Sequence, residues 1–114
     1  MGLTRRVNRG AALLDNKCPG WADRIRAVLN EDPAAFHVAS TRACVPGRLF
    51  GEFWLGVVAI GLAGEDDDAC PVAYRYGFDL PVGAYKANCV KAEADESRLE
   101  KLWIAAVDMR TKGN

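Results

Sequence analysis

The stretch LFGEFWLGVVAIGLA, Leu49 to Ala63, carries one charge, Glu52, among apolar residues and glycines. Whether it crosses a membrane, lines a pocket or fills a core decides the fold. A membrane-crossing helix needs about 20 apolar residues. This tract is bounded by Arg48 and Glu65, interrupted at Glu52, and punctuated by Gly51, Gly56, Gly61 and Gly64. It is too short to span. Wound as a helix, it puts Leu49, Phe53, Val57 and Ile60 on one side, with Phe50, Trp54 and Val58 beside them. A narrow stripe remains at Arg48, Glu52, Gly56, Ala59 and Ala63. A helix apolar nearly all round belongs in the middle of a small domain, the stripe being a solvent window or a close contact. The alternative is a split: a helix to about Trp54, then a short strand through GVVAIG, whose β-branched residues suit extended backbone. On either reading the tract is core.

Around that centre the chain divides into helices. Thr4 can cap a first helix whose apolar face is Val7, Ala11 and Leu14. NKCPGWADRIRAVL restarts a helix, with Pro19 at the first helical position and Trp21, Ile25, Val28 and Leu29 at helical spacing. Asn30 and Asp32-Pro33 stop it. Residues 33 to 45 show no clean period and read as loop with a short extended piece, after which Val45-Pro46-Gly47 launches the central helix. Glu65 to Asp68 form an acidic loop, and Pro71 opens a short helix, PVAYRY, closed by Gly77 at the C′ position. Residues 78 to 94 are ambiguous. Ser97-Arg98-Leu99-Glu100 matches the capping box of a last helix, with Leu99, Leu102, Trp103, Ala106 and Val107 as its buried face. Arg110 and Lys112 sit near its end, where the helix dipole favours cations. The predicted architecture is mainly α: a single compact domain, residues 1–114, of four or five helices, with room for a short strand pair.

Composition narrows function more by exclusion than by assignment. Fifteen basic residues balance fifteen acidic ones, so no global field draws the chain to nucleic acid or an anionic membrane. MGLTRRVNRG lacks the apolar run of a signal peptide. Arg6 stands where a myristoylation motif requires Ser or Thr. A cytoplasmic location is the expectation. There the four widely separated cysteines, Cys18, Cys44, Cys70 and Cys89, should be reduced and largely buried. None pairs at the short spacing that preorganises a zinc site. Glu65 to Asp68 lack the alternating ligand order and distal Glu of a calcium loop. His37 is the only histidine; Asp32 is near it in sequence, but no nucleophile accompanies it. With no phosphate loop, dinucleotide fingerprint or nucleophile elbow, no residue is assigned a catalytic, cofactor-binding or metal-ligating role, and the chain is not read as an enzyme.

Binding is the better-supported class. Arg5, Arg6 and Arg9, with Arg24 and Arg26 on the second helix, could form a basic surface for phosphates, and two helices joined near CPG have the outline of a helix-turn-helix. Asp15, Asp23, Glu31 and Asp32 dilute that charge, and no recognition helix rich in Arg, Asn and Gln follows. The aromatics Trp21, Trp54, Trp103, Phe50, Phe53, Tyr74 and Tyr76 exceed what a small core strictly needs. Aromatics with Arg are the usual anchors of protein interfaces. Taken singly, each aromatic still suits a core position.

RGAALLDNKCPGWADRI (Arg9 to Ile25), CVPGRLFGEF (Cys44 to Phe53), Gly61-Leu62 and Tyr76-Gly77-Phe78 together resemble a family of small uncharacterised proteins of actinobacteria and the phages that infect them. Its members share a G-x-x-L-L-D segment, a P-G-W segment, then C-V-L-G-Q followed by F-G or Y-G. Pro46 and Arg48 depart from that pattern, where Leu and Gln would stand. The resemblance assigns no site residue. It implies a small phage product at work in the cytoplasm of a mycobacterium-like host. The expected function is therefore that of a non-enzymatic phage accessory protein. It would act through a host or phage protein partner, with growth modulation or toxicity as the outcome and self-association left open. Membrane and cofactor are not expected. The alternative is a small DNA-binding regulator using the Arg5–Arg26 surface, and a zinc-dependent fold is the third.

Overall fold

In the computed structural model, which describes residues 2–32, 34, 36–37, 44–62, 70–80 and 83–111, the ends of the central tract decide its path. Cys44 is extended and its Sγ accepts from the Gly47 N–H at 3.4 Å, capping a helix at Val45–Phe50 with Pro46 in the first turn. That helix stops at Gly51, whose φ of +93° is costly for any residue bearing a Cβ. Glu52 is extended, and a second helix, Phe53–Ala59, begins at once. The tract is thus two short helices, not one long one, and GVVAIG contributes no strand. They pack face to face because Gly56 lies against Pro46, where a Cβ would come within 2.5 Å of the proline's own. Of the two readings of the small-residue stripe, solvent window or close contact, Gly56 takes the second: it is buried against Pro46.

In chain order the elements are α1 (Leu3–Lys17), α2 (Trp21–Glu31), α3 (Val45–Phe50), α4 (Phe53–Ala59), α5 (Cys70–Ala73), a 3-10 turn (Tyr74–Tyr76), α6 (Ala84–Ala87) and α7 (Cys89–Thr111). The fold is mainly helical, with no strand among the described residues. None of those helices is long and apolar enough to cross a membrane.

Three expected helix starts move. Half-buried Leu3 packs on the core, so α1 begins before Thr4, capped by the backbone of extended Gly2. Pro19 is not the first residue of α2. Trp21 N donates to Cys18 O at 3.1 Å and Gly20 has φ +82°, so Pro19-Gly20 fill the centre of a type II turn. Ser97 lies inside α7, whose cap is Asn88: its Oδ1 accepts from the Lys91 N–H at 3.1 Å. The buried stripe runs back from Leu99 to Ala92, seven residues earlier, and pulls the helix with it.

Helix α7 is the axis of the molecule, with α1, α2 and α6 packed along it and α3 against α2. Its Leu99, Trp103, Ala106 and Val107 meet Val7, Ala11 and Leu14 of α1 and Trp21, Ile25 and Leu29 of α2 in one continuous core. The Trp103 ring stands edge-on to Trp21 at 5.7 Å and stacks on Phe78 at 5.2 Å. Its Nε1 donates to Gly77 O at 2.6 Å. Across the rim, Asp15 accepts from Trp21 Nε1 and, through both oxygens, from Arg110, each at 2.8 Å. That network ties α1, α2 and α7 together.

Candidate interaction surface

Arg5, Arg6 and Arg9 lie on α1 outside its buried stripe of Val7, Gly10, Ala11 and Leu14. What lies beside them is set by two glycines. At Gly10 a Cβ would fall 2.0 Å from Tyr76 O, and at Gly77 it would meet the Val7 backbone at 2.8 Å. The 3-10 turn therefore sits directly on α1. Phe78 N donates to Ala73 O and Gly77 N to Tyr74 O, the paired bonds of a Schellman ending. This ending sends Phe78 inward to Trp103 and leaves Tyr74 and Tyr76 half-buried beside the arginines. Arg6 lies over the Tyr74 ring at 5.1 Å, Arg75 over the same ring at 5.9 Å, and Arg9 over Tyr76 at 4.5 Å. Each such contact contributes about 0.5–1 kcal/mol at an exposed site. They also hold the guanidinium groups close to the two rings. Among the described residues no acidic side chain pairs with Arg5, Arg6 or Arg75.

The other two arginines of the expected basic surface, exposed Arg24 and half-buried Arg26, are engaged by neighbouring elements. Arg24 Nη2 donates to Leu49 O at 2.6 Å, and Arg26 pairs with Asp108 and reaches Thr111 Oγ1. A continuous Arg5–Arg26 surface is thereby replaced by one built from Arg5, Arg6, Arg9 and Arg75. Arg75 was not singled out in the sequence. Only its position in a turn packed against α1 gives it a role. Of the aromatics, Trp21, Trp103 and Phe53 are core and Phe50 and Trp54 are half-buried, which leaves the two tyrosines as the aromatic part of the surface.

Elsewhere the chemistry is quiet. Cys44 is buried, which pushes its thiol up to about 11, so it is protonated at neutral pH and acts as a helix cap. Cys18 is half-buried. Cys89 is exposed, contrary to expectation, because it opens α7 one turn before the first buried residue. The side chain of Cys70 and the acidic run Glu65 to Asp68 lie outside the described residues, as does Lys112. Among those described, no group of three His, Cys, Asp or Glu is placed to hold a metal. Exposed His37 has its Nδ1 3.5 Å from Glu100 Oε1, whereas Asp32 accepts from the Ala34 N–H. Asp79 and Glu96 are both raised, first by burial; Glu100 adds to the rise at Glu96. No family model, curated protein or solved structure matches the chain.

Proposed function

We propose that this chain is a non-enzymatic accessory protein that binds another protein through the Arg–Tyr face of α1 and the 74–76 turn. The observation that carries the reading is Tyr74 lying under both Arg6 and Arg75, with Tyr76 under Arg9. Arg and Tyr are enriched among interface anchors, and guanidinium groups already held over rings lose less freedom on binding than mobile ones. The complementary partner surface is acidic. The family resemblance makes that partner a host or phage protein of an actinobacterial cytoplasm, with altered host growth as the consequence. The DNA-binding alternative has lost Arg24 and Arg26 to internal contacts, and few phosphate contacts remain to it.

The test is affinity capture from nuclease-treated host lysate with the wild-type chain and with Arg5, Arg9 and Arg75 all replaced by Ala. A partner retained by wild type after nuclease and lost by the triple variant is the expected result, together with relief of any growth defect on expression. Mobility shifts at low and physiological salt provide the opposing outcome. Sequence-selective duplex binding at physiological salt, abolished by the same substitutions, would replace the protein-partner reading with the regulator.

A further inference from the structure

A cleft of about 330 Å³ opens beside Arg6, between the first turns of α1, α6 and the start of α7. Leu3, Leu80, Ala84 and Ala92 form the apolar part of its wall, and Leu80 and Ala92 are themselves buried. The volume lies at the lower end of the range that small-molecule sites occupy. Its charges do not balance. Lys91 Nζ is 3.0 Å from Asp95 Oδ2, so that pair offsets itself. Arg6, which also lines the cleft, has no acidic partner among the described residues, and its contact with the Tyr74 ring, 5.1 Å from the centroid, uses none of its N–H donors on a carboxylate. A cleft with an apolar floor and, among the described residues, one guanidinium without an acidic partner fits one kind of ligand.

We propose that this cleft binds a small amphipathic monocarboxylate, its apolar body on Leu3, Leu80, Ala84 and Ala92 and its carboxylate on Arg6. The planar fork of a guanidinium matches a carboxylate with two parallel hydrogen bonds. A phosphate dianion suits the site less well, because Asp95 lines the same cleft and repels a second negative charge. Asn88, whose side chain caps α7, stands at the wall as a further polar group. The same chemistry, one carboxylate on a branched apolar group, is offered by a free short-chain acid and by the C-terminal leucine of a polypeptide. This inference is independent of the protein-binding reading and shares only Arg6 with it.

The experiment titrates the full chain, labelled with 15N, with 4-methylpentanoate and with the uncharged 4-methylpentanamide. A parallel arm uses a pentapeptide ending in leucine, as the free acid and as the amide. Saturable shifts of the Ala84, Asn88 and Ala92 amides are expected with the acids, and binding about tenfold weaker with the amides, since a hydrogen-bonded charge is lost. Tighter binding of the peptide acid identifies a polypeptide terminus as the source; tighter binding of the free acid identifies a small molecule. Arg6→Gln should erase the preference for acid over amide. Ala87→Phe, at the exposed edge of the cleft, should block both while leaving the core intact. Asp95→Asn should tighten carboxylate binding several-fold by releasing Lys91. Equal binding of acid and amide, an acid preference that survives Arg6→Gln, or no shifts at these amides would overturn the proposal.

Discussion

Trp103 stands where α1, α2 and the Gly77 turn meet α7, fully buried, with its indole N–H spent on a backbone carbonyl. Trp103→Ala would leave a cavity between Trp21 and Phe78 and orphan Gly77 O, costing about 3–5 kcal/mol for the ring and about 1–3 kcal/mol for the carbonyl. That is a large share of a small domain's stability. Trp54 packs on the edge of the same core but is half exposed. Trp54→Ala should therefore cost less than half as much. Urea unfolding of both variants at unchanged slope checks this; equal losses would place Trp54 in the core. Composition alone does not rank these two rings, since both lie in apolar helical patterns. Gly10 is illegible for a similar reason. In a helix interior it reads as a propensity defect of about 1 kcal/mol. Its cause is Tyr76 O, sixty-six residues away in sequence and 2.0 Å from where its Cβ would be.

Periodicity located the helices well where large residues anchored the stripe, as Val7 and Leu14 do in α1 and Leu99, Trp103 and Val107 in α7. It failed where the buried residue was small. Ala92 extends the stripe of α7 without announcing itself, so the S-x-x-E signal at Ser97 reads as a start although it lies mid-helix. The two capping candidates can be separated. Asn88→Ala removes the side-chain acceptor for the Lys91 N–H and should cost about 0.5–2 kcal/mol. Ser97→Ala should be neutral or stabilise by a few tenths of a kcal/mol, since Ala is the better helix former. Thermal unfolding of the two variants gives the answer, and a larger loss at Ser97 would restore the shorter helix. The interaction surface was half legible in the same way. Arg5, Arg6 and Arg9 cluster in sequence, whereas their union with Tyr74, Arg75 and Tyr76 depends on a turn docking onto α1. The cleft beside Arg6 was not legible at all, because alanines and a turn of α6 build much of its wall.

Across the whole molecule, zero formal net charge conceals carboxylates pulled in opposite directions. Arg110 holds Asp15 below its ordinary 3.8, with Trp21 adding a hydrogen bond. Its contribution to stability is present above that value and is lost as pH falls through the depressed folded pKa. Asp79 and Glu96 are raised, chiefly by burial. Their contribution has the other sign: it is fully present below their ordinary 3.8 and 4.5, and is lost as pH rises through the elevated folded values. At neutral pH the fold therefore keeps a desolvated charge on Asp79, whose Oδ1 accepts from the Leu80 N–H at 2.8 Å. Asp79→Asn retains that acceptor and removes the charge, so it should raise the melting temperature at pH 7. The gain should shrink with acidification and vanish where both side chains are neutral. Asp15→Asn should do the reverse in sign at pH 7, lowering the melting temperature because Arg110 loses its bidentate partner, and its effect too should fade in acid. Melting curves of the wild type and both variants from about pH 3 to pH 8 test the pair together. A destabilised Asp79→Asn at pH 7 would mean that the Asp79 charge has a stabilising partner, and that burial does not govern its titration.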